Sequence, residues 1–374
     1  MVDLKSQYRK IKPEVDAAIS EVLESAAFIQ GEPVRRFADN LAVYTGSRHV
    51  VTCANGTDAL QIAMMALGLE PGDEVITPSF TYIATTEVVA LLGLKPVFVD
   101  VHPRTFCMDP EAVESAVTPK TKAIVPVHLY GQSAPMEEIL DIAGRHNLFV
   151  IEDNAQAIGA TYRFGDGRTV RTGVMGTIGA TSFFPSKNLG CYGDGGAMFT
   201  QDDGIADRLR MVANHGQKER YHHEVVGCNS RLDTIQAAVL DIKLKRLDGY
   251  NAARRLAADY YDRAFAPFPE LQTPLVAEGN THVYHQYTLI LDGPDRDAMQ
   301  KHLAARGVPS MIYYPIPAHR QGMFETFGVG DLDLPVTDWL TKRVISLPMH
   351  TEMDEEQLDT ITKAVIDFIK TNPV

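Results

Sequence analysis

The chain has only four cysteines in 374 residues, Cys53, Cys107, Cys191 and Cys228. They form no Cys-x-x-Cys pair and have no closely spaced histidines to complete a ligand set, so no structural metal is expected. Free thiols in a reducing compartment suit this scatter better than a disulfide frame does. Positive charge is also in deficit: 35 Lys and Arg stand against 48 Asp and Glu, a net charge of −13. That balance argues against nucleic acid or an anionic membrane as the main partner, and it requires any anionic ligand to be held by a local pocket. No stretch reaches the roughly 18 uncharged apolar residues of a membrane span. The opening MVDLKSQYRK has no apolar signal-peptide core, so a soluble, cytoplasmic protein is expected. Finally, the glycine-rich run Gly190–Gly196 lacks the spacing of a P-loop or a dinucleotide fingerprint, and it reads as close backbone packing.

What is present is an ordinary globular composition, 45% hydrophobic and 22% charged, able to build a sizeable core. The length suits a large domain plus a smaller one. Ile11, Val15, Ile19, Val22 and Leu23 follow helical spacing from about Tyr8 to Ala26, with Pro13 near the start. Then come the short apolar runs HVVTCA, EVITPSF, KPVFVDV, KAIVPVHLYG, LFVIEDNAQ, GATSFF and GGAMFT, separated by helix-like segments. This alternation predicts an α/β domain with a mostly parallel sheet covered on both faces. After Leu247 the pattern changes to a long helix through AARRLAADYYDRAF, a strand at HQYTLIL, a helix near DAMQKHLAARG, a strand at PSMIYY and a closing helix at EEQLDTITKAVIDFI. The expected division is a large α/β domain over 1–247 and a smaller α+β domain over 248–374.

Three clusters can carry chemistry. Asn55-Gly56-Thr57-Asp58 follows a strand and opens a helix, where free N–H groups and the helix dipole suit a phosphate; an ordinary turn and cap would use the same residues. Glu152-Asp153 closes an apolar strand, where a parallel sheet delivers side chains to its crevice. A carboxylate there can keep a ring nitrogen protonated, or it can cap a helix or bind Mg²⁺. Lys187 sits in Ser182-Phe183-Phe184-Pro185-Ser186-Lys187-Asn188. A lysine in such an aromatic, partly dry setting loses some of its preference for the charged form, and the neutral amine can bond to an aldehyde. A lysine on a loop is otherwise plain solvated surface.

In this order the motifs resemble the DegT-type sugar aminotransferases, within the fold-type-I pyridoxal-phosphate enzymes. The resemblance runs from GEPVRRFADNLA and NGTDALQ through PSFTYIAT, VHLYGQ, IEDNAQAIGA, SFFPSKNLG and GDGGA to HGQ, NSRLDTIQAA, YPIP and SLPMH. It implies a mostly parallel sheet sandwiched by helices, a smaller C-terminal domain, and pyridoxal 5'-phosphate as cofactor. It makes Lys187 the residue bonded to the cofactor and the proton shuttle, Asp153 the partner of the ring nitrogen, and Tyr82 the stacked aromatic. Gln156 would pack on the other face or near the ring hydroxyl. Gly56, Thr57 and Ser182 would hold the phosphate, with Asn229 reaching it from a second subunit of a homodimer. Asn154 stands where the family often has alanine and Gln156 where it often has histidine; neither is expected to remove activity.

Within the family the sequence is most similar to enzymes that aminate C3 of a UDP-linked 3-keto-N-acetylglucosaminuronate for O-antigen and other cell-surface polysaccharide, with L-glutamate as donor. That resemblance places Ala26, Phe28, Ser186, Tyr313 and Tyr314 around the sugar and Arg231 on the uronate carboxylate, a task its planar guanidinium suits; the same arginine could serve glutamate in the other half-reaction, and an interface ion pair is the remaining use of Arg231. The family's dehydratases bind the cofactor without a covalent lysine, so Lys187 argues against them. Aminotransfer to another sugar, such as a 4-keto-6-deoxy-hexose on dTDP or UDP, and a non-catalytic protein that kept the fold are the remaining alternatives. His215, His222, His223 and His319 receive no catalytic role.

Overall fold

In the computed structural model, which describes residues 1–372, helix α1 (Leu4–Ser25) starts before Tyr8 because Asp3 caps it, accepting from the Ser6 amide at 2.9 Å. Its buried stripe is Gln7, Ile11, Val15 and Val22. Helix α2 (Glu32–Thr45) leads into β1 (His49–Cys53), and α3 (Gly56–Ala66) follows at once. Then β2 (Glu74–Pro78), α4 (Ala84–Leu91), β3 (Lys95–Val99), α5 (Pro110–Ala116), β4 (Thr121–Ile124), α6 (Met136–His146) and β5 (Phe149–Asp153) alternate. A side hairpin, β6 (Thr161–Arg163) and β7 (Thr169–Arg171), precedes β8 (Ile178–Ser182) and β9 (Gly196–Thr200).

The central sheet has the order β1-β9-β8-β5-β4-β2-β3. The pairs β3–β2, β2–β4, β4–β5 and β5–β8 are parallel, and only β9 runs against both its neighbours. Short apolar strands buried on both faces produce this arrangement: every residue of β2 and β9 is buried. Cys53 and Ser182 both pair with Gly196. The ends of β1 and β8 thereby flank Gly196 at one level of the sheet, and the start of α3 is brought against Ser182.

Helix α7 (Asp203–Ala213) is followed by an exposed hairpin, β10 (Gln217–Glu219) and β11 (His222–His223), then by α8 (Thr234–Leu244) and α9 (Leu247–Phe265). The remaining elements are β12 (Leu271–Gln272), β13 (Tyr287–Leu291), α10 (Arg296–Ala305), α11 (Pro335–Thr341), β14 (Val344–Leu347) and α12 (Glu355–Thr371). A separate antiparallel sheet, β12-β13-β14, packs with α9, α10 and α12 around Tyr261, Phe265, Leu289 and Phe368.

One expected element is corrected. PSMIYY is not a strand; Met311 makes only an isolated bridge to Ser346. Prolines at 309, 315 and 317 bracket it and cannot donate to a ladder, whereas the fully buried VISL of β14 takes the place beside β13. The C-terminal part is also tied to the sheet through Asp100, just past β3. Its carboxylate accepts from the amides of Val336 and Thr337 at the start of α11, both at 2.8 Å, and from the Thr337 hydroxyl at 2.7 Å. All four cysteines are free, and among the described residues no helix is long and apolar enough to cross a membrane.

Candidate active site

Strand β5 ends in two buried carboxylates with different fates. Glu152 is fully consumed: it accepts from His128 Nε2 at 2.8 Å and from the amides of Gly173, Met175 and Gly176 at 2.7, 2.6 and 2.6 Å. The Ala134 amide donates to His128 Nδ1 at 3.0 Å, so the ring proton is on Nε2. No valence of Glu152 is left for Mg²⁺, and among the described residues no group of three or more His, Cys, Asp or Glu could hold a metal ion. Asp153 is 6% exposed. It accepts from the Thr85 hydroxyl at 2.7 Å on Oδ2 and from the Ala155 amide at 3.1 Å on Oδ1. Both oxygens retain a lone pair, and the carboxylate borders a cavity of about 710 Å³.

The first turn of α3 also lines that cavity. The Asn55 side chain takes the Asp58 amide at 2.8 Å, while the Gly56 and Thr57 amides lie in the turn that has no intrahelical acceptors. A Cβ on Gly56 would stand 2.6 Å from Ser182 Cβ. Only glycine lets the helix start close on β8, and Thr57 and Ser182 line the cavity beside it.

Lys187 lines the same cavity, on the loop after β8. The loop is fixed from below: Phe183 donates its amide to Gly195 O at 2.7 Å and Cys191 to Phe183 O at 2.8 Å, the backbone packing expected of the glycine-rich run. Burial pushes the Lys187 amine down to about 8, against the opposing pull of the Asp153 carboxylate. Among the described residues Nζ has no hydrogen-bond partner. Gln156 is held at both ends, accepting from the Tyr130 amide at 2.8 Å and donating to the Tyr314 hydroxyl at 3.1 Å. The exposed Tyr82 ring lies 6.1 Å from Tyr314, tilted by 44°.

Thus one chain brings together Gly56, Thr57, Tyr82, Asp153, Gln156, Ser182 and Lys187, with Ser186, Tyr313 and Tyr314 on the same cavity. It does not bring Ala26, Phe28, Asn229 or Arg231 there. The segment after α1 is tied instead to the start of α8, where the Thr234 amide donates to Phe28 O at 3.1 Å, and Ala26 and Phe28 are exposed. Asn229 is exposed and bridges Asn214; Arg231 borders a second cavity of about 400 Å³ with Arg35 and Arg210. Asn154 is buried and donates to Thr172 O at 3.1 Å. None of His215, His222, His223 and His319 borders the Lys187 cavity. Thr85, Asp194, His285 and Gln286 were given no role from the sequence; Thr85 had a signal in its place in PSFTYIAT, and Asp194 in its place in GDGGA.

The donor set fits a ligand that carries a phosphate, a basic ring nitrogen and an aldehyde, which is pyridoxal phosphate. A lysine, a strand-end carboxylate and a helix N-terminus around the carboxyl edge of this sheet define a pyridoxal-phosphate-dependent aminotransferase of α/β fold. More narrowly, the chain belongs to the DegT/DnrJ/EryC1/StrS aminotransferase family, whose model matches residues 9–366. It is 48% identical to a UDP-2-acetamido-2-deoxy-3-oxo-D-glucuronate aminotransferase of Pseudomonas aeruginosa, covering 97% of this chain and 98% of that one. It is 46% identical to a UDP-N-acetyl-3-dehydro-α-D-glucosamine 3-aminotransferase of Acidithiobacillus ferrooxidans (98% and 96%) and 46% identical to a pleiotropic regulatory protein of Geobacillus stearothermophilus (99% and 98%). A crystal structure of a family aminotransferase from Brucella abortus superposes with a TM-score of 0.93 at 43% identity, covering 98% of both chains. A Bacillus subtilis structure with bound pyridoxamine phosphate superposes with 0.88 at 32% identity, covering 96% of this chain and 82% of that one. The activity is amino transfer to a sugar.

Proposed function

We propose that the protein moves the amino group of L-glutamate to C3 of UDP-2-acetamido-2-deoxy-3-oxo-D-glucuronate, in the cytoplasm, for O-antigen or related cell-surface polysaccharide. The observation that carries the uronate reading is the Arg231 guanidinium: it borders a cavity and, among the described residues, pairs with no carboxylate of its own chain. The similarity to the Pseudomonas aeruginosa enzyme supports the same reading. Because Asn229 and Arg231 lie off their own chain's cavity, each site in this proposal is completed by a second copy. In that homodimer the partner gives Asn229 to the phosphate and Arg231 to a carboxylate, and Ala26, Phe28, Ser186, Tyr313 and Tyr314 line the sugar. We also divide the chain at residue 247, the start of α9, into a large domain that holds the cofactor and a small one.

Pyridoxal phosphate, when bound, supplies a reactive aldehyde carbon and a ring that takes up electrons. Gly56, Thr57 and Ser182 would hold its phosphate. The Asp153 carboxylate, oriented by Thr85 and Ala155, would keep the ring nitrogen protonated. Tyr82 and Gln156 would pack against the ring. Lys187 Nζ, unprotonated in part near pH 8, takes up and returns the proton that moves between the two carbons of the transferred amine.

Two measurements test this. Adding L-glutamate to the yellow protein should bleach its visible band, and a band that glutamate leaves unchanged overturns the donor. Arg231→Ala should lose activity on the uronate and keep it on UDP-N-acetyl-3-dehydro-glucosamine, the acceptor named for the Acidithiobacillus ferrooxidans relative. Equal loss on both overturns the uronate role and leaves Arg231 to the glutamate carboxylate or to an interface.

A further inference from the structure

One hydrogen bond joins a residue of the Lys187 cavity to a residue of the Arg231 cavity. Asp58 borders the first and Ser230 the second, and the Ser230 hydroxyl donates to Asp58 Oδ2 at 2.6 Å. The same hydroxyl accepts from the Ala54 amide at 2.9 Å. Its proton and a lone pair are both spent on residues 54–58, the turn that opens α3 and would hold the phosphate.

Ser230 stands between Asn229 and Arg231 in the chain. It is 1% exposed, whereas Asn229 is exposed and Arg231 half-buried. Backbone bonds tie this segment to the end of α7: the Cys228 amide donates to Val212 O at 2.9 Å, the His215 amide to Cys228 O at 2.9 Å and the Ser230 amide to Ala213 O at 3.0 Å. Any side chain at 230 would permit those three. Among the described residues, the two bonds of the hydroxyl are the only hydrogen bonds between residues 228–232 and the phosphate turn. A hydroxyl on a carboxylate is a charge-assisted bond, and its removal leaves an amide and a carboxylate oxygen without their partner. The place of Asn229 and Arg231 is therefore set from two directions, by the end of α7 through the backbone and by the phosphate turn through one side chain.

We propose that Ser230 is a positioning residue that acts across the subunit boundary: through Asp58 and Ala54, the phosphate turn of one chain fixes the Asn229 and Arg231 which that chain gives to its partner's site. The inference rests on the shared-site reading above. It separates the place of the bond, in one chain's own cofactor turn, from the place of its effect, in the other chain's cavity.

Mixed dimers test this separation. Lys187→Ala leaves a chain's own site without a visible cofactor band, so a dimer with one such chain reports on a single site. With Ser230→Ala and Lys187→Ala on the same chain, that site belongs to the wild-type partner. Its affinity for pyridoxal 5'-phosphate, titrated by the visible band, should fall about fivefold to tenfold, the effect of one hydrogen bond. With the two substitutions on opposite chains, the affinity should match that of a dimer of Lys187→Ala with wild type. The reverse pattern, equal losses in both arrangements, or no loss in either overturns the proposal. Asn229→Ala in the same two arrangements checks the reading beneath. If it weakens only its own chain's site, the shared site falls and this inference with it; if it acts on the partner's site and Ser230→Ala does not, the positioning role alone has failed. Should Ser230→Ala not fold, Asp58→Ala removes the same bond from its half-buried end. Placed with Lys187→Ala on one chain, it should weaken the wild-type partner's site likewise, and an unchanged affinity overturns the proposal.

Discussion

The molecule contains two desolvated lysines, Lys187 half-buried and Lys243 buried, whose amines are both pushed down to about 8, and only one of them is placed for catalysis. Lys187 has an unbonded Nζ on a cavity wall, with Asp153 as the charge that pulls it back up. Lys243, on α8, is 1% exposed; its Nζ donates to Gly190 O at 2.7 Å and lies 4.3 Å from the centre of the Tyr192 ring. Desolvation is the first cause of the shift in both. A perturbed lysine is therefore a marker of burial, and chemistry requires in addition a free valence and access. Lys243 is a strut that closes the Gly190 loop under the site, and Lys187 is the group that the strut keeps in place.

The comparison can be broken most severely by removing each amine in turn. Lys187→Ala should abolish the visible cofactor band and lower amino transfer by about 10³-fold or more, whereas Lys243→Met should keep the band and the rate within a few-fold. Absorbance and steady-state assays on both variants read this, and a Lys243→Met protein without a band would show that the two lysines are not separable. Next in size, Asp153→Asn should slow turnover by about 10²-fold. Because the carboxylate holds Lys187 up, its loss should also move the midpoint of cofactor capture by apo-protein, expected near pH 8, to lower pH.

Thr85→Val should cost about tenfold in rate by freeing the Asp153 carboxylate, with Thr85→Ser restoring it; the cofactor's absorbance against pH reads the same change independently. The smallest effect is on stability. Lys243→Met leaves Gly190 O without its donor, at about 1–3 kcal/mol in urea unfolding. The Lys243 pKa is lower folded than unfolded, so between about pH 8 and 10.5 the unfolded chain binds more protons and the wild type gains stability from this group as pH rises. The gap between wild type and Lys243→Met should shift in the wild type's favour across that window.

The large sheet was legible in the sequence because its seven strands are short apolar runs, from the fully buried β2 and β9 to the half-buried edge strand β1, and each was bounded by turns. The three chemical clusters were legible because each sits at a strand end or a helix start. PSMIYY misled because its β-rich composition hid what its flanking prolines exclude, and β14 was missed because VISL is too short to show a period. His285 and Gln286 gave no signal, since their place depends on contacts with Gly131, Asn188 and Arg254 from distant parts of the chain. For Asn229 and Arg231 the sequence named the residues, and the single chain places them away from the cavity.

The Asp100 contact bears on the order in which the chain folds. Helix α11 has seven residues, fewer than a helix needs to persist in water by itself, and its opening amides are satisfied by a carboxylate that the edge of the sheet supplies. It can form only once β3 is in place, so it should be among the last segments to gain protection from hydrogen exchange and among the first to lose it. In the folded molecule α11 thereby reports, through one side chain, whether the sheet that carries the site has assembled.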